Sequence, residues 1–217
     1  MTRIKCCGMT RTEDALLAAR LGVDAIGLVF TARSRRQVGL RQARAIVEAL
    51  PPFVSTVALF MDDDATLVRQ VLDQVRPTLL QFHGGESDDW CAQFDAPFLK
   101  AIAMGVGAAS VSRLSDYPRA MGLLLDGHAF GEAGGSGKSF DWTLLSGELA
   151  QPLIVAGGLH AGNVGEAISA LRPWAVDVAS GVEAAPGVKD PSLLADFVRA
   201  VRVADAERLV PDSGPDR

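Results

Sequence analysis

Aromatic side chains are scarce in this sequence: nine Phe, three Trp and one Tyr among 217 residues. Cysteines number three, and two of them, Cys6 and Cys7, are adjacent. That is too few and too close for a disulfide framework, and it points to a reducing compartment. Long apolar runs are missing as well. Stretches such as Pro152–Leu159 are too short and too glycine-rich to cross a bilayer, so no membrane partner is expected. The opening MTRIKCCGM carries Arg3 and Lys5 without an apolar core, so no signal peptide is expected, and the protein reads as cytoplasmic. An excess of positive charge is also lacking. Lys and Arg total 21 against 26 Asp and Glu, giving −5, which argues against nucleic acid despite the local cluster Arg33, Arg35, Arg36, Arg41 and Arg44. Asp14, Asp62, Asp63 and Asp64 have no His or Cys at metal-ligand spacing beside them. They read as helix-start acids, and no metal is expected. No helix pattern shows a large apolar stripe, which favours a monomer.

What is present is one repeated unit: a short apolar run, a glycine-bearing or polar turn, then a helical stretch. The apolar runs centre on Arg3–Cys7, Ala25–Phe30, Ser55–Phe60, Thr78–Phe82, Phe98–Ala103, Gly122–Leu125, Leu153–Ala156 and Ala175–Ala179. Continuous aliphatic runs suit parallel strands covered on both sides. Between and after them, helices are expected from the capping box Thr10–Glu13 to Gly22, then over Arg41–Leu50, Ala65–Arg76, Ser87–Phe94, Val111–Tyr117, Trp142–Leu149, Asn163–Leu171 and Pro191–Val203. Eight alternations at a compact repeat of roughly 25 residues favour a single closed (βα)8 TIM barrel over a doubly wound open sheet. The domain is expected to span 1–203, with 204–217 as a frayed tail where periodicity is lost.

Active residues of such barrels sit at the C-terminal ends of the strands. Those ends bring Cys7, the segment from Phe30 to Arg36, His83, Asp126, Gly157-Gly158 and Ser180-Gly181 to one rim. Gly157, Gly158, Ser180 and Gly181 follow the seventh and eighth strands, where closely approaching backbone amides form phosphate sites. A phosphorylated ligand is therefore expected. Strand alternation puts Lys5 and Cys7 on one face and Cys6 on the other. A thiol and a carboxylate facing one another across the mouth, Cys7 and Asp126, can serve as base and acid. A small buried hydrophobe for Cys7 and a loop anchor for Asp126 are the alternatives that position alone leaves open. Arg36 suits an anionic substrate group. Lys5 is expected to pair with inward-facing Asp177 and is one source of positive field for the thiol. The loop Gly131–Ser139 misses a P-loop pattern at Glu132 and reads instead as a lid.

Read in order, these strings resemble the phosphoribosylanthranilate isomerase family. The resemblance runs through Lys5-Cys6-Cys7-Gly8-Met9, Gly27-Leu28-Val29-Phe30 with Ser34-Arg35-Arg36, Gln81-Phe82-His83-Gly84 with Glu86, and Leu124-Leu125-Asp126. It continues through Gly134-Gly135-Ser136-Gly137 to Phe140-Asp141-Trp142, then Ala156-Gly157-Gly158-Leu159, Val176-Asp177-Val178 to Glu183, and Pro186-Gly187-Val188-Lys189-Asp190. It implies an Amadori rearrangement of a phosphoribosyl anthranilate in tryptophan biosynthesis, on a small-molecule sugar phosphate and without a cofactor. It also implies that Asp126 is the acid, Cys7 the base and Arg36 the carboxylate holder. His83 and Asp177 then stand at the substrate, and Gly157, Gly158, Ser180 and Gly181 at its phosphate. Cys6 and Arg35 depart from the family pattern, where an aliphatic residue and a proline are usual. The rival readings are a related barrel aminoaldose isomerase and a non-catalytic phosphate-ligand barrel. The first is disfavoured because the strand ends Phe60-Met61 and His83-Gly84 lack a second phosphate pattern.

Overall fold

The computed structural model describes residues 1–105, 108–127 and 151–209. Eight parallel strands close into a barrel in sequence order: β1 (Arg3–Cys6), β2 (Ala25–Val29), β3 (Ser55–Phe60), β4 (Leu79–Phe82), β5 (Phe98–Ala103), β6 (Gly122–Asp126), β7 (Leu153–Val155) and β8 (Ala175–Val178). The seam is parallel pairing of β1 with β8, where Lys5 stands opposite Asp177 and Cys6 opposite Val178. Helices α1 (Thr12–Arg20), α2 (Leu40–Ala49), α3 (Ala65–Gln74), α4 (Asp88–Ala92), α5 (Ala108–Val111), α6 (Val164–Leu171) and α7 (Pro191–Leu209) lie among the strands in the same order. No helix among the described residues is long and apolar enough to cross a membrane. The expected lid Gly131–Ser139 and the expected helix Trp142–Leu149 lie outside the described residues.

Period-two alternation sorts the strand side chains into two cores. One set, including Val57, Leu99, Ala101, Leu124 and Ile154, fills the barrel interior. The other set, including Ile4, Cys6, Ile26, Leu28, Phe60 and Val176, meets the helices. Each fully buried large aliphatic or aromatic side chain stabilises the fold by roughly 1.5–3 kcal/mol. The few aromatics are concentrated: Phe30 stacks on Phe60 at 5.6 Å, Phe60 meets Phe82 tilted at 6.0 Å, and Phe82 also meets Trp90, Phe94 and Phe98. Cys6 is fully buried in this outer layer, as alternation requires, and Cys7 is left to the mouth.

Three local expectations give way to the structure, and one element was not anticipated. The capping box is absent: α1 begins at Thr12 after Arg11, which makes no side-chain cap, while the Thr10 hydroxyl donates to Gly187 O at 2.5 Å. The tertiary acceptor takes the hydroxyl that the local motif would have used. Instead of a helix over Val111–Tyr117, α5 stops at Val111 and a 3-10 turn covers Ser112–Asp116, with Pro118 close behind to block continuation. The expected tail boundary at 203 is wrong, because α7 runs on to Leu209. Ala204 and Asp205 are buried, and the Asp205 carboxylate accepts from both Thr2 N and Thr2 Oγ1 at 2.7 Å. Lastly, a small antiparallel hairpin, β9 (Glu183–Ala185) and β10 (Val188–Lys189), folds over the end of β8.

Candidate active site

Cys7 follows β1 directly, its amide donating to Val178 O at 2.8 Å, so the seam itself aims the thiol into the mouth. Gly27 on β2 makes the room: a Cβ there would lie 2.6 Å from Cys7 Sγ. Two residues earlier on the same face, Lys5 Nζ bonds Asp177 Oδ2 at 2.9 Å with both side chains buried, the pairing the alternation pattern implied. Burial works against the charge on Lys5, but Asp177 and the neighbouring thiol outweigh it, so the ammonium is held above its usual range. Burial also pushes the Cys7 thiol up, and the opposing pull of Lys5 and then Lys189 does not cancel it. Burial therefore favours the neutral thiol, and Lys5, expected as one source of positive field, offsets this only in part. Its charge is already committed to Asp177.

Across the mouth, Asp126 closes β6 and His83 follows β4, with His83 Nε2 3.5 Å from Asp126 Oδ2. Gln81, one turn of the pleat earlier, holds the other ring nitrogen, Nε2 to Nδ1 at 3.1 Å. An amide N–H at Nδ1 leaves the imidazole proton on Nε2, facing the carboxylate. Two buried acceptors, Gln81 Oε1 and Asp177 Oδ1, have no hydrogen-bond partner among the described residues, although buried polar atoms are seldom left so. Cys7, Arg36, Gln81, His83, Asp126 and Asp177 all line one cavity, whose apolar wall includes Val29, Leu59, Met61 and Ala179.

Arg36 reaches this cavity along the backbone of Gly8, whose φ of +75° and missing Cβ leave space that the Arg36 chain fills; a Cβ there would lie 2.4 Å from Arg36 Cδ. Its guanidinium is bidentate on Glu183, with Nε to Oε1 at 2.9 Å and Nη2 to Oε2 at 2.8 Å. Burial opposes the charge on Glu183, and its bonds to Arg36 and Lys189 more than offset that, holding the carboxyl below the usual range. Glu183 and Lys189, both on the unforeseen hairpin, were no part of the expected site. Nor was Gln81, although it lies two residues before His83 near the end of the same strand.

The four residues expected at phosphate do not line the cavity among the described residues; Ala179, next to Ser180, does. Gly157 and Gly158 have φ of +86° and +63°, and Gly181 sits where a Cβ would fall 2.0 Å from Leu159 O. Asn163 donates to Gly158 O at 3.0 Å and accepts from His160 N at 2.8 Å, which fixes the first loop against the start of α6.

A family model described as N-(5'phosphoribosyl)anthranilate (PRA) isomerase matches residues 4–200. The chain is 48% identical to N-(5'-phosphoribosyl)anthranilate isomerase of Nitrosospira multiformis over 204 residues, covering 94% of this chain and 98% of that protein. It resembles the crystal structure of phosphoribosyl anthranilate isomerase from Thermotoga maritima, with a TM-score of 0.87 and 37% identity over 94% of this chain and all (100%) of the other. A further similar structure, at a TM-score of 0.80 and 32% identity over 94% of this chain and 100% of that one, is phosphoribosyl anthranilate isomerase in complex with reduced 1-(o-carboxyphenylamino)-1-deoxyribulose 5-phosphate.

Proposed function

The chain belongs to the N-(5'-phosphoribosyl)anthranilate isomerase family, and from that premise we propose that Cys7 and Asp126 are the base and acid of its reaction. The reaction is the isomerisation of N-(5'-phosphoribosyl)anthranilate in tryptophan biosynthesis, an Amadori rearrangement. Asp126 gives a proton to the furanose ring oxygen, the bond from that oxygen to C1 breaks, and the anilino nitrogen becomes an iminium. Cys7 as thiolate takes the proton from C2, and the electron pair moves into an enolamine. The enolamine gains a proton at C1 as the C2 hydroxyl yields its proton and becomes the ketone. The positive iminium next to Sγ offsets the burial that holds the free thiol neutral.

The observation that carries this reading is that a thiol, a carboxylate, an imidazole and a guanidinium from separate stretches of chain face one cavity. Arg36, using Nε and Nη2 on Glu183, offers its remaining nitrogen to the anthranilate carboxylate. His83 orients Asp126, while Asp177 Oδ1 and Gln81 Oε1 receive sugar hydroxyls. Gly157, Gly158, Ser180 and Gly181 take the phosphate through backbone amides. One barrel supplies every group named, which suits a monomer working on a small-molecule sugar phosphate without nucleic acid. The free thiols Cys6, Cys7 and Cys91 suit the reducing cytoplasm.

The test is fluorescence loss from substrate generated in place from anthranilate and phosphoribosyl pyrophosphate. Cys7→Ala and Asp126→Asn should each lower kcat at least about a hundredfold with the circular dichroism spectrum unchanged. Near-parental turnover in both variants would refute the assignment.

A further inference from the structure

Lys189, at the end of β10, has no exposed side-chain surface, yet nothing in an acid–base isomerisation calls for it. Its ammonium donates to Cys7 O at 2.6 Å, Ala179 O at 3.1 Å and Glu183 Oε1 at 2.9 Å. The two carbonyls belong to the residues that directly follow β1 and β8, so one side chain fastens the barrel seam at the level of the thiol. Glu183 carries the connection onward through its bidentate bonds to Arg36. Arg36 in turn lies against Gly8, the residue joined to Cys7.

We infer that Lys189 and Glu183 are positioning residues for the same reaction: a buried ion pair that holds the backbone of Cys7 and the guanidinium of Arg36 as one unit. The inference rests on the roles proposed above for Cys7 and Arg36. A purely structural anchor would need only the carbonyls. Here the carboxylate spends its other oxygen on the one cation that both pairs with it and faces the cavity. The charges run positive, negative, positive from Lys189 through Glu183 to Arg36. Occupying Arg36 with a carboxylate is therefore felt at Lys189, and through it at the thiol. The other titratable groups around Cys7 are Lys5 and Asp177 on its own side, and His83 with Asp126 across the cavity. Lys189 counts among the groups that pull the thiol down against burial.

The experiment is the pH profile of Cys7 alkylation by iodoacetamide in the full chain, read by peptide mass, alongside kcat and KM. Lys189→Met removes a positive charge and should raise the alkylation midpoint by about 0.5 pH unit or more. Glu183→Gln leaves two cations unneutralised and should lower the midpoint, while raising KM at least about fivefold and changing kcat less. Lys100→Met, equally buried on β5, should leave the midpoint where it was. Opposite shifts from the two members of one pair are a signature that general loosening does not give. Unchanged midpoints, or shifts in the same direction, overturn the inference. If Lys189→Met does not fold, the downward shift in Glu183→Gln remains required. Full turnover in Cys7→Ala would remove the functional reading instead, and the midpoints would still report separately on the ion pair.

Discussion

Two buried lysines, Lys100 and Lys189, brace opposite sides of the mouth with the same device. Lys100 donates to Phe82 O at 3.2 Å, Gly84 O at 2.6 Å and Glu86 Oε2 at 3.0 Å. Lys189 likewise takes two carbonyls and a glutamate. The lysine side chains have 0% exposure and the glutamates 3% and 4%. What differs is where each glutamate spends its remaining capacity. Glu86 accepts from Asp62 N at 2.8 Å and Gly84 N at 2.9 Å, so that brace is closed on backbone and fixes the loop that carries His83. Glu183 instead grips Arg36, which faces the ligand space. One brace is purely mechanical; the other has a terminal in the active site. The same local chemistry serves scaffold or function according to one neighbour.

The comparison breaks most visibly in stability. Lys100→Met and Lys189→Met each remove a buried cation from a buried carboxylate, and each should cost about 3–5 kcal/mol in urea unfolding. A loss well below that for Lys189 alone would mean Arg36 suffices to neutralise Glu183, making the two braces unequal. Next comes Gly27→Ala, which should lower kcat by about tenfold or more, because the new methyl occupies the thiol's place on the Lys189 side of the mouth. Unchanged turnover there would show that Sγ tolerates displacement. The smallest effect is on acid stability. Glu183 is held below its ordinary range, so its contribution is complete above an unfolded carboxyl pKa of about 4.3 and fades as pH falls through the lower folded value. Glu183→Gln should therefore flatten the loss of stability below about pH 4, read as Tm against pH. An acid limb as steep as the parent's would assign that loss to other carboxylates.

The eight strands were legible in the sequence because each is a short aliphatic run whose period-two faces meet two apolar layers, interior and helical. Cys7, His83, Asp126 and Asp177 were legible by the same rule, since each ends or nearly ends a run. Alternation turned Lys5 and Asp177 inward, and closure of the barrel, which sets β1 beside β8, makes them opposite each other. The hairpin with Glu183 and Lys189 was not legible, because β9 and β10 are three and two residues long and carry no period. Lys100 illustrates the same limit: a charge inside Phe98–Ala103 reads as an interruption until Glu86 and two carbonyls are brought to it. Pairings such as Lys189 with Cys7 lie far apart in the chain and belong to topology. Thr10 shows the reverse failure, a sound local signal overruled by a tertiary acceptor at Gly187.

The clasp between Thr2 and Asp205 brings α7 against β1 beside the seam, on the side of the barrel remote from Cys7. Thr2 and Asp205, far apart in sequence, are thus neighbours in space. A short linker could join them, and the polypeptide could be cut open at the exposed Phe53 turn before β3. A circular permutant made this way would keep all eight strand ends of the mouth uninterrupted, so the order of the segments along the gene is not what this active site depends on.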